Sequence, residues 1–346
     1  MHEATLYERL HDGRVKCRLC SHRCAISPGK RGTCGVRENR DGTLETLVYG
    51  ALVAQAVDPI EKKPLYHFLP GTTSYSIATV GCNLRCEFCQ NWQISQTPPE
   101  RSRARSLVDP VDVAAAARDA GCASIAYTYN EPTIFFEFAR DTARAAHERG
   151  IANVFVTNGY QTPETIVEMT GLIDAANVDL KSFSDEFYRT HCGARLQPVL
   201  DSITAMVEAG IHVEITTLVI PGWNDGDDEL RQIARFAAGL SPDIVWHVSR
   251  FHPDYQTTDR GCTPDATLER ALAVGREEGL RHVFVGNASV GSSDTLCPKC
   301  GTAVVRRRGY RTSVDALIAD EKRAGDGPAS GTCGACGEPI AVVTRI

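Results

Sequence analysis

Eleven of the fourteen cysteines fall into three close groups, and these groups are the residues best suited to do chemistry. Cys82, Cys86 and Cys89 stand as C-x3-C-x2-C, within the run Gly81-Cys82-Asn83-Leu84-Arg85-Cys86-Glu87-Phe88-Cys89-Gln90-Asn91. Random placement of fourteen cysteines would give roughly 0.02 such motifs, so the spacing is not accidental. An iron–sulfur cubane that only carries electrons takes a thiolate on each iron, so three local thiolates leave one iron open. The amino and carboxylate groups of S-adenosylmethionine can chelate such an iron. That would set the sulfonium beside the cluster for one-electron reduction and release of a 5'-deoxyadenosyl radical, with the protein supplying orientation. A zinc site completed by a distant ligand is the competing reading of the same motif.

The other two groups flank this motif. Cys17, Cys20, Cys24 and Cys34 come from a segment too short to hold a core, so a metal is expected to fold it. Zinc and a second iron–sulfur cluster both fit that spacing, and His22 could replace one thiolate. Cys297-Pro298-Lys299-Cys300-Gly301 and Cys333-Gly334-Ala335-Cys336-Gly337 form two C-x2-C-G knuckles, the pattern of a zinc ribbon or a rubredoxin-like site. Structural zinc is the first expectation there and a single iron the rival. Cys122, Cys192 and Cys262 stand apart and read as small core residues, with Cys192 the one to test as a radical relay.

Three further runs carry a family resemblance. They are Glu61-Lys62-Lys63-Pro64-Leu65-Tyr66-His67-Phe68-Leu69-Pro70-Gly71, the cysteine loop ending Gln90-Asn91-Trp92, and Trp246-His247-Val248-Ser249-Arg250-Phe251-His252-Pro253. With them the whole chain resembles the radical S-adenosylmethionine enzymes related to pyruvate formate-lyase activating enzymes. It resembles more closely the radical enzyme of the AmmeMemoRadiSam system. The resemblance implies a 4Fe-4S cluster and S-adenosylmethionine as cofactors, a ferredoxin or flavodoxin as low-potential donor, and Memo-like and AMMECR-like partner proteins. It also implies roles for residues at strand ends. Asn130-Glu131 stands where such enzymes carry a segment that meets the cofactor's amino group, and Glu131 is a good acceptor for an ammonium. Thr157, Asn158, Asp179 and Lys181 would line its ribose and carboxylate, and Pro221 and His252 would be further contacts. The plainer alternatives are an acid at a helix N-terminus for Glu131, a surface ion pair for Asp179 and Lys181, and a packed ring for His252.

These residues need a frame that brings strand ends together. β-Branched runs predict strands over 74–79, 124–129, 152–157, 175–180, 212–219 and 245–249, with a further candidate at 282–286. Helical spacing of apolar residues fills the gaps at 111–120, 133–148, 200–209, 228–238 and 268–278. The expected fold is therefore α/β, a partial (β/α)6 barrel with ligands gathered at the carboxyl ends of its strands. The proposed division is a cysteine-rich module and lead-in over 1–71, the barrel over 72–288, and the zinc-ribbon-like module over 289–346. Residues 98–106 read as the long loop and 324–330 as a flexible turn.

Composition narrows the function classes. A hydrophobic content of 42% and a charged content of 23% suit a globular chain, and a net charge of -6 gives no overall attraction to nucleic acid or anionic membranes. Arg306-Arg307-Arg308 is a local basic run, which leaves RNA recognition through the ribbon as an alternative to a protein or small-molecule substrate. Neither a secretory signal nor a spanning segment is visible, so a reducing cytoplasmic setting is expected, in which thiols serve as ligands rather than disulfides. A regulatory metal protein without catalysis would not need aminoacyl-binding groups beside an open iron.

Overall fold

Runs such as Ala152–Thr157 and His212–Val219 are rich in β-branched residues and buried along most of their length, as parallel strands covered on both faces must be. A computed structural model describes residues 2–104, 106–319 and 329–345. Its main sheet has eight strands: β1 (Ala54–Pro59), β2 (Thr73–Ala78), β3 (Ser124–Tyr127), β4 (Ala152–Thr157), β5 (Ala175–Asp179), β6 (His212–Val219), β7 (Val245–Arg250) and β8 (Val283–Gly286). They are hydrogen-bonded in sequence order. β1 pairs antiparallel with β2, and every later pair is parallel. β1 and β8 do not pair with each other, so the barrel stays open.

Six helices cross between the parallel strands: α1 (Pro110–Asp119), α2 (Phe136–His147), α3 (Pro163–Met169), α4 (Leu196–Glu208), α5 (Asp227–Leu240) and α6 (Asp265–Glu277). The expected segment 282–286 is thus a full member of the sheet, which makes seven parallel strands. Two elements were not anticipated. β1 holds a single β-branched residue, Val57, and alternates half-buried with exposed positions, so it reads poorly as a strand until β2 is beside it. α3 is only seven residues long, although its start is well marked: Thr162 accepts from the Thr165 backbone N–H and Pro163 fills the first helical position.

The N-terminal segment adds two small antiparallel sheets, one of His2–Glu3, Thr43–Thr46 and Arg37–Arg40, the other of Tyr7–Arg9, Val15–Cys17 and Ala25–Ile26. After β8 come two further three-stranded sheets around a small core of Cys297, Val304, Val305, Cys333, Ile340 and Val342. The segment 324–330 lies outside the described residues apart from 329–330, which begin the strand Ala329–Cys333. In the loop 98–106, Pro99–Arg101 forms one 3-10 turn, and residue 105 lies outside the described set. Among the described residues no helix is long and apolar enough to cross a membrane.

A buried carboxylate joins the sheet to the segment before it, and that segment meets the C-terminal part. Glu214 on β6 accepts from the backbone N–H groups of Tyr66 at 2.9 Å and His67 at 2.7 Å, and its oxygens lie 3.2 Å from His212 Nε2 and 2.6 Å from His247 Nε2. The Arg307 guanidinium of the C-terminal part sits 4.3 Å above the Tyr66 ring and donates to Thr295 Oγ1 at 3.0 Å. The same region buries two further imidazoles, His67 and His282, with ring centroids 4.4 Å apart. Burial lowers the pKa of both: that of His67 with help from the neighbouring His282 and against Glu214, and that of His282 to about 4 against Asp243 and Glu214 and with help from Arg281 and Arg307. The unfolded chain therefore takes up protons on these rings that the folded chain refuses. Stability should fall as pH drops from about 6.5 toward 4, by up to about 3 kcal/mol from His282. Denaturant midpoints across that range check this, and His282→Asn should flatten the slope.

Candidate active site

The cysteine loop begins where β2 ends. Gly81 has a positive φ of 94°, and a Cβ there would meet Val36 Cγ1 at 2.5 Å and the Cys34 carbonyl at 3.0 Å, so only glycine lets the chain turn this close to the N-terminal segment. The loop is then pinned from three sides. Asn130 Nδ2 donates to the Gly81 carbonyl at 3.0 Å, the Arg85 N–H donates to the Cys192 carbonyl at 2.9 Å, and the Glu87 N–H donates to the His191 carbonyl at 3.1 Å. Cys192 itself is fully buried.

The three loop thiols line one cavity of about 510 Å³ at the carboxyl ends of the strands. Asn130 and Glu131 after β3, Thr157 and Asn158 at the end of β4, and Asp179 and Lys181 at the end of β5 line it too. The structure therefore gathers nine of the residues singled out in the sequence around one space. Pro221 and His252 are not among its lining residues; His252 is exposed, with Nδ1 3.2 Å from Cys262 Sγ. The sulfurs of Cys82, Cys86 and Cys89 are not all within 4.8 Å of one another, a spread wider than the roughly 3.8 Å that a single tetrahedral zinc sets between its sulfurs. They suit a larger group that meets each thiolate at a separate metal atom.

The polar groups divide into framework and free valence. Glu131 is buried, and its Oε1 accepts from the Thr133 N–H at 3.0 Å, from the Thr133 hydroxyl and from Thr157 Oγ1 at 2.7 Å, while Oε2 accepts from the Asn158 N–H at 2.8 Å. Burial raises its pKa against the opposing effect of these donors. Its carboxylate ties the tips of β3 and β4 together. Asn130 differs. Its Nδ2 is spent on Thr79 Oγ1 and the Gly81 carbonyl, which fixes the amide orientation, and its Oδ1 is buried in the cavity wall without a partner. An unpaired buried acceptor is costly, so this oxygen is poised for an incoming N–H or O–H donor. Lys181 Nζ lies 2.8 Å from Asp179 Oδ2 and 5.9 Å from the centre of the Phe88 ring.

Further residues complete the lining. Tyr129 sits in the left-handed region with φ 67°, its hydroxyl donates to Asp58, and Lys63 Nζ lies 4.5 Å from its ring centre. Asp58 also accepts from Lys62 Nζ at 2.8 Å, Lys63 Nζ at 2.7 Å and Ser76 Oγ at 2.9 Å. His247 and Ser249 from β7, Asn287 after β8, and Tyr310 from the C-terminal part complete the wall. Positive φ at Tyr129 is invisible in a residue string, and Tyr310 is distant in the chain. In the sequence, Glu61-Lys62-Lys63 and His247 with Ser249 are marks of resemblance alone.

The four C-terminal cysteines converge tightly. Cys297 and Cys336 sulfurs are 3.6 Å apart, those of Cys300 and Cys333 are 3.7 Å apart, and all four lie within 4.8 Å of one another. This group could hold a metal ion.

Comparison with known proteins agrees with this geometry. Residues 76–237 match the family model of the radical SAM superfamily. An uncharacterised protein of Methanocaldococcus jannaschii is 41% identical over 99% of this chain and 100% of its own length. The pyruvate formate-lyase 1-activating enzyme of Escherichia coli K12 is 26% identical over 46% of this chain and 66% of its own, and the benzylsuccinate synthase activating enzyme of Thauera aromatica is 31% identical over 31% and 32%. The family-model match and a strand-end cavity holding the three-cysteine loop lead to one conclusion: the chain belongs to the radical SAM superfamily, whose chemistry runs on a 4Fe-4S cluster and S-adenosylmethionine, and it is homologous to glycyl-radical activating enzymes.

Proposed function

We propose that the chain is a radical enzyme that holds a 4Fe-4S cluster on Cys82, Cys86 and Cys89 and S-adenosylmethionine in the adjoining cavity, and that it abstracts hydrogen from a residue of a partner protein. When bound, the cluster supplies one electron to S-adenosylmethionine, whose cleavage yields a 5'-deoxyadenosyl radical. The observation that carries the reading is the unpaired Asn130 Oδ1 in the same cavity as three spread thiols. A cavity of about 510 Å³ is in the range of sites for ligands of this size.

The chain's own groups then take distinct parts. Asn130 Oδ1 accepts from the cofactor's ammonium, and Glu131 holds Thr157 and Asn158 in place while keeping room on Oε2 for a second ammonium contact. Lys181 neutralises the carboxylate, with Asp179 orienting Lys181 and open to a ribose hydroxyl. Pro221 and His252 receive no role in this arrangement. Homology to activating enzymes supports a protein substrate, and the resemblance to the AmmeMemoRadiSam enzyme supports Memo-like and AMMECR-like partners. A ferredoxin or flavodoxin in the cytosol is the fitting electron donor. We divide the work among three units, 1–71, 72–288 and 289–346, the last held by structural zinc on Cys297, Cys300, Cys333 and Cys336. Sulfurs 3.6 and 3.7 Å apart suit zinc, whose bonds of about 2.3 Å set them roughly 3.8 Å apart.

Three outcomes are expected. The protein reconstituted anaerobically with iron and sulfide, then given dithionite and S-adenosylmethionine, should release 5'-deoxyadenosine, and the Cys82→Ala, Cys86→Ala, Cys89→Ala variant should not; absence of product from a chain with a verified reducible cluster would sink the reading. Asn130→Ala should keep the cluster but raise KM for S-adenosylmethionine about 10- to 100-fold, the equivalent of about 1.5 to 3 kcal/mol for a hydrogen bond to a charged group. Unchanged KM would remove Asn130 from cofactor binding. Elemental analysis of Cys297→Ser, Cys333→Ser should show the loss of a zinc ion that the parent chain retains.

A further inference from the structure

Away from the strand-end cavity, the four N-terminal cysteines surround a space of their own. Cys17, Cys20, Cys24 and Cys34 line one enclosed cavity together with Arg37 and Ile134. Local geometry dictates their convergence. The Cys17 N–H donates to the Cys24 carbonyl at 2.9 Å across the hairpin of Val15–Cys17 and Ala25–Ile26, and the Arg23 N–H donates to the Cys20 carbonyl at 2.9 Å in the turn between. A second turn, Gly35 N–H to the Gly32 carbonyl at 2.9 Å, brings Cys34 to the same space.

The two four-cysteine groups of this chain differ in a way that bears on what each can hold. The C-terminal sulfurs all lie within 4.8 Å of one another, the spacing one ion requires. Among the N-terminal four, no three do, although all face one cavity. Thiolates spread around a common space fit a polynuclear centre in which each binds its own iron. Donors point at the sulfurs. Arg37 is buried, its Nη2 is paired with the buried Glu137 carboxylate, its Nη1 lies 3.6 Å from Cys17 Sγ, and its Nε has no partner, while the Thr33 N–H points at Cys24 Sγ at 3.5 Å. Such donors stabilise anionic sulfur and tune an iron–sulfur centre.

This module also touches the loop of the first site directly. The Cys34 carbonyl packs on Gly81, His22 Nε2 lies 2.8 Å from the Asn83 carbonyl, and Arg85 Nη2 donates to the Thr33 carbonyl at 2.6 Å.

We propose that Cys17, Cys20, Cys24 and Cys34 hold a second 4Fe-4S cluster, closed by four thiolates and therefore an electron carrier that binds no S-adenosylmethionine. It takes one electron from a low-potential one-electron donor and hands that same electron to the neighbouring centre, with no bond made or broken. The binding site itself does not depend on the reading of Cys82, Cys86 and Cys89.

The test is iron and sulfide analysis with electron paramagnetic resonance on the full chain after anaerobic reconstitution. The parent should take up roughly eight irons in its clusters, and the Cys82→Ala, Cys86→Ala, Cys89→Ala variant roughly four. Dithionite should give that variant a reduced-cluster signal, and S-adenosylmethionine should leave the signal unchanged. Conversely, Cys20→Ser, Cys34→Ser should keep roughly four irons with a signal that S-adenosylmethionine alters. Cys24→Ser, at a partly exposed position, guards against misfolding, since an unchanged melt with a lost or altered second signal ties the loss to ligation. Zinc in place of iron in the triple variant, or no metal beyond the C-terminal ion, would overturn the proposal and leave the loop cluster standing. If the triple variant keeps its cluster while Cys20→Ser, Cys34→Ser holds none, the loop reading fails and this one survives.

Discussion

The Glu131 carboxylate is the constraint on which the site depends. A carboxylate removed from water needs its lone pairs filled, and this one draws donors from Thr133, Thr157 and Asn158. Satisfying it brings the tips of β3 and β4 to a fixed separation. Asn158 then reaches Asn83 Oδ1 with its Nδ2 at 2.7 Å, and the Asn83 carbonyl meets His22 at 2.8 Å, so one line of polar contacts runs from the barrel through the cysteine loop into the N-terminal segment. The neighbouring Asn130 is left with an open acceptor.

Around that line the wall is built from parts distant in sequence. Asp58 on the edge strand gathers two lysines, a serine and the hydroxyl of Tyr129. This compensates for the left-handed backbone at Tyr129, which costs roughly 1 to 2 kcal/mol for a non-glycine residue. Glu61 has a similar office at the far side, accepting from the Gly71 N–H at 2.8 Å and Thr312 Oγ1 at 2.7 Å, and so sets the hairpin that carries Tyr310. Charge in this wall is paired almost entirely within the protein, which leaves Asn130 Oδ1 and one Glu61 oxygen, Oε2, as buried acceptors without partners at the cavity.

Much of this was legible in the residue string because it rests on short-range rules. Six of the seven parallel strands read as short apolar runs alternating with helical stretches, with 282–286 as a further candidate, and the three-cysteine loop stands out by its spacing. β1 was not legible, since its strand character comes from β2 beside it. α3 was overlooked despite Thr162 and Pro163, because seven residues carry little periodicity. Position after a strand also proved an incomplete guide. Asp179 and Lys181 turn into the cavity, whereas the chain after β6 and β7 carries Pro221 and His252 away from its lining, the latter to Cys262. Tyr129 and Tyr310 depend on backbone conformation and on chain return, which no local pattern encodes.

The C-terminal return has a consequence in time. Sheet order follows chain order, so each strand can add to its predecessor as synthesis proceeds from the N-terminus. The bottom of the structure does not close that way. Val343 exchanges backbone hydrogen bonds with His67 and Leu69 at 2.7 and 2.8 Å, and Thr312 reaches back 251 residues to Glu61. A nascent chain therefore presents its cysteine loop long before Tyr310 exists to complete the cavity wall. Until the hairpin that carries Tyr310 has emerged from the ribosome and folded back, the loop's thiols face a vessel that lacks one side.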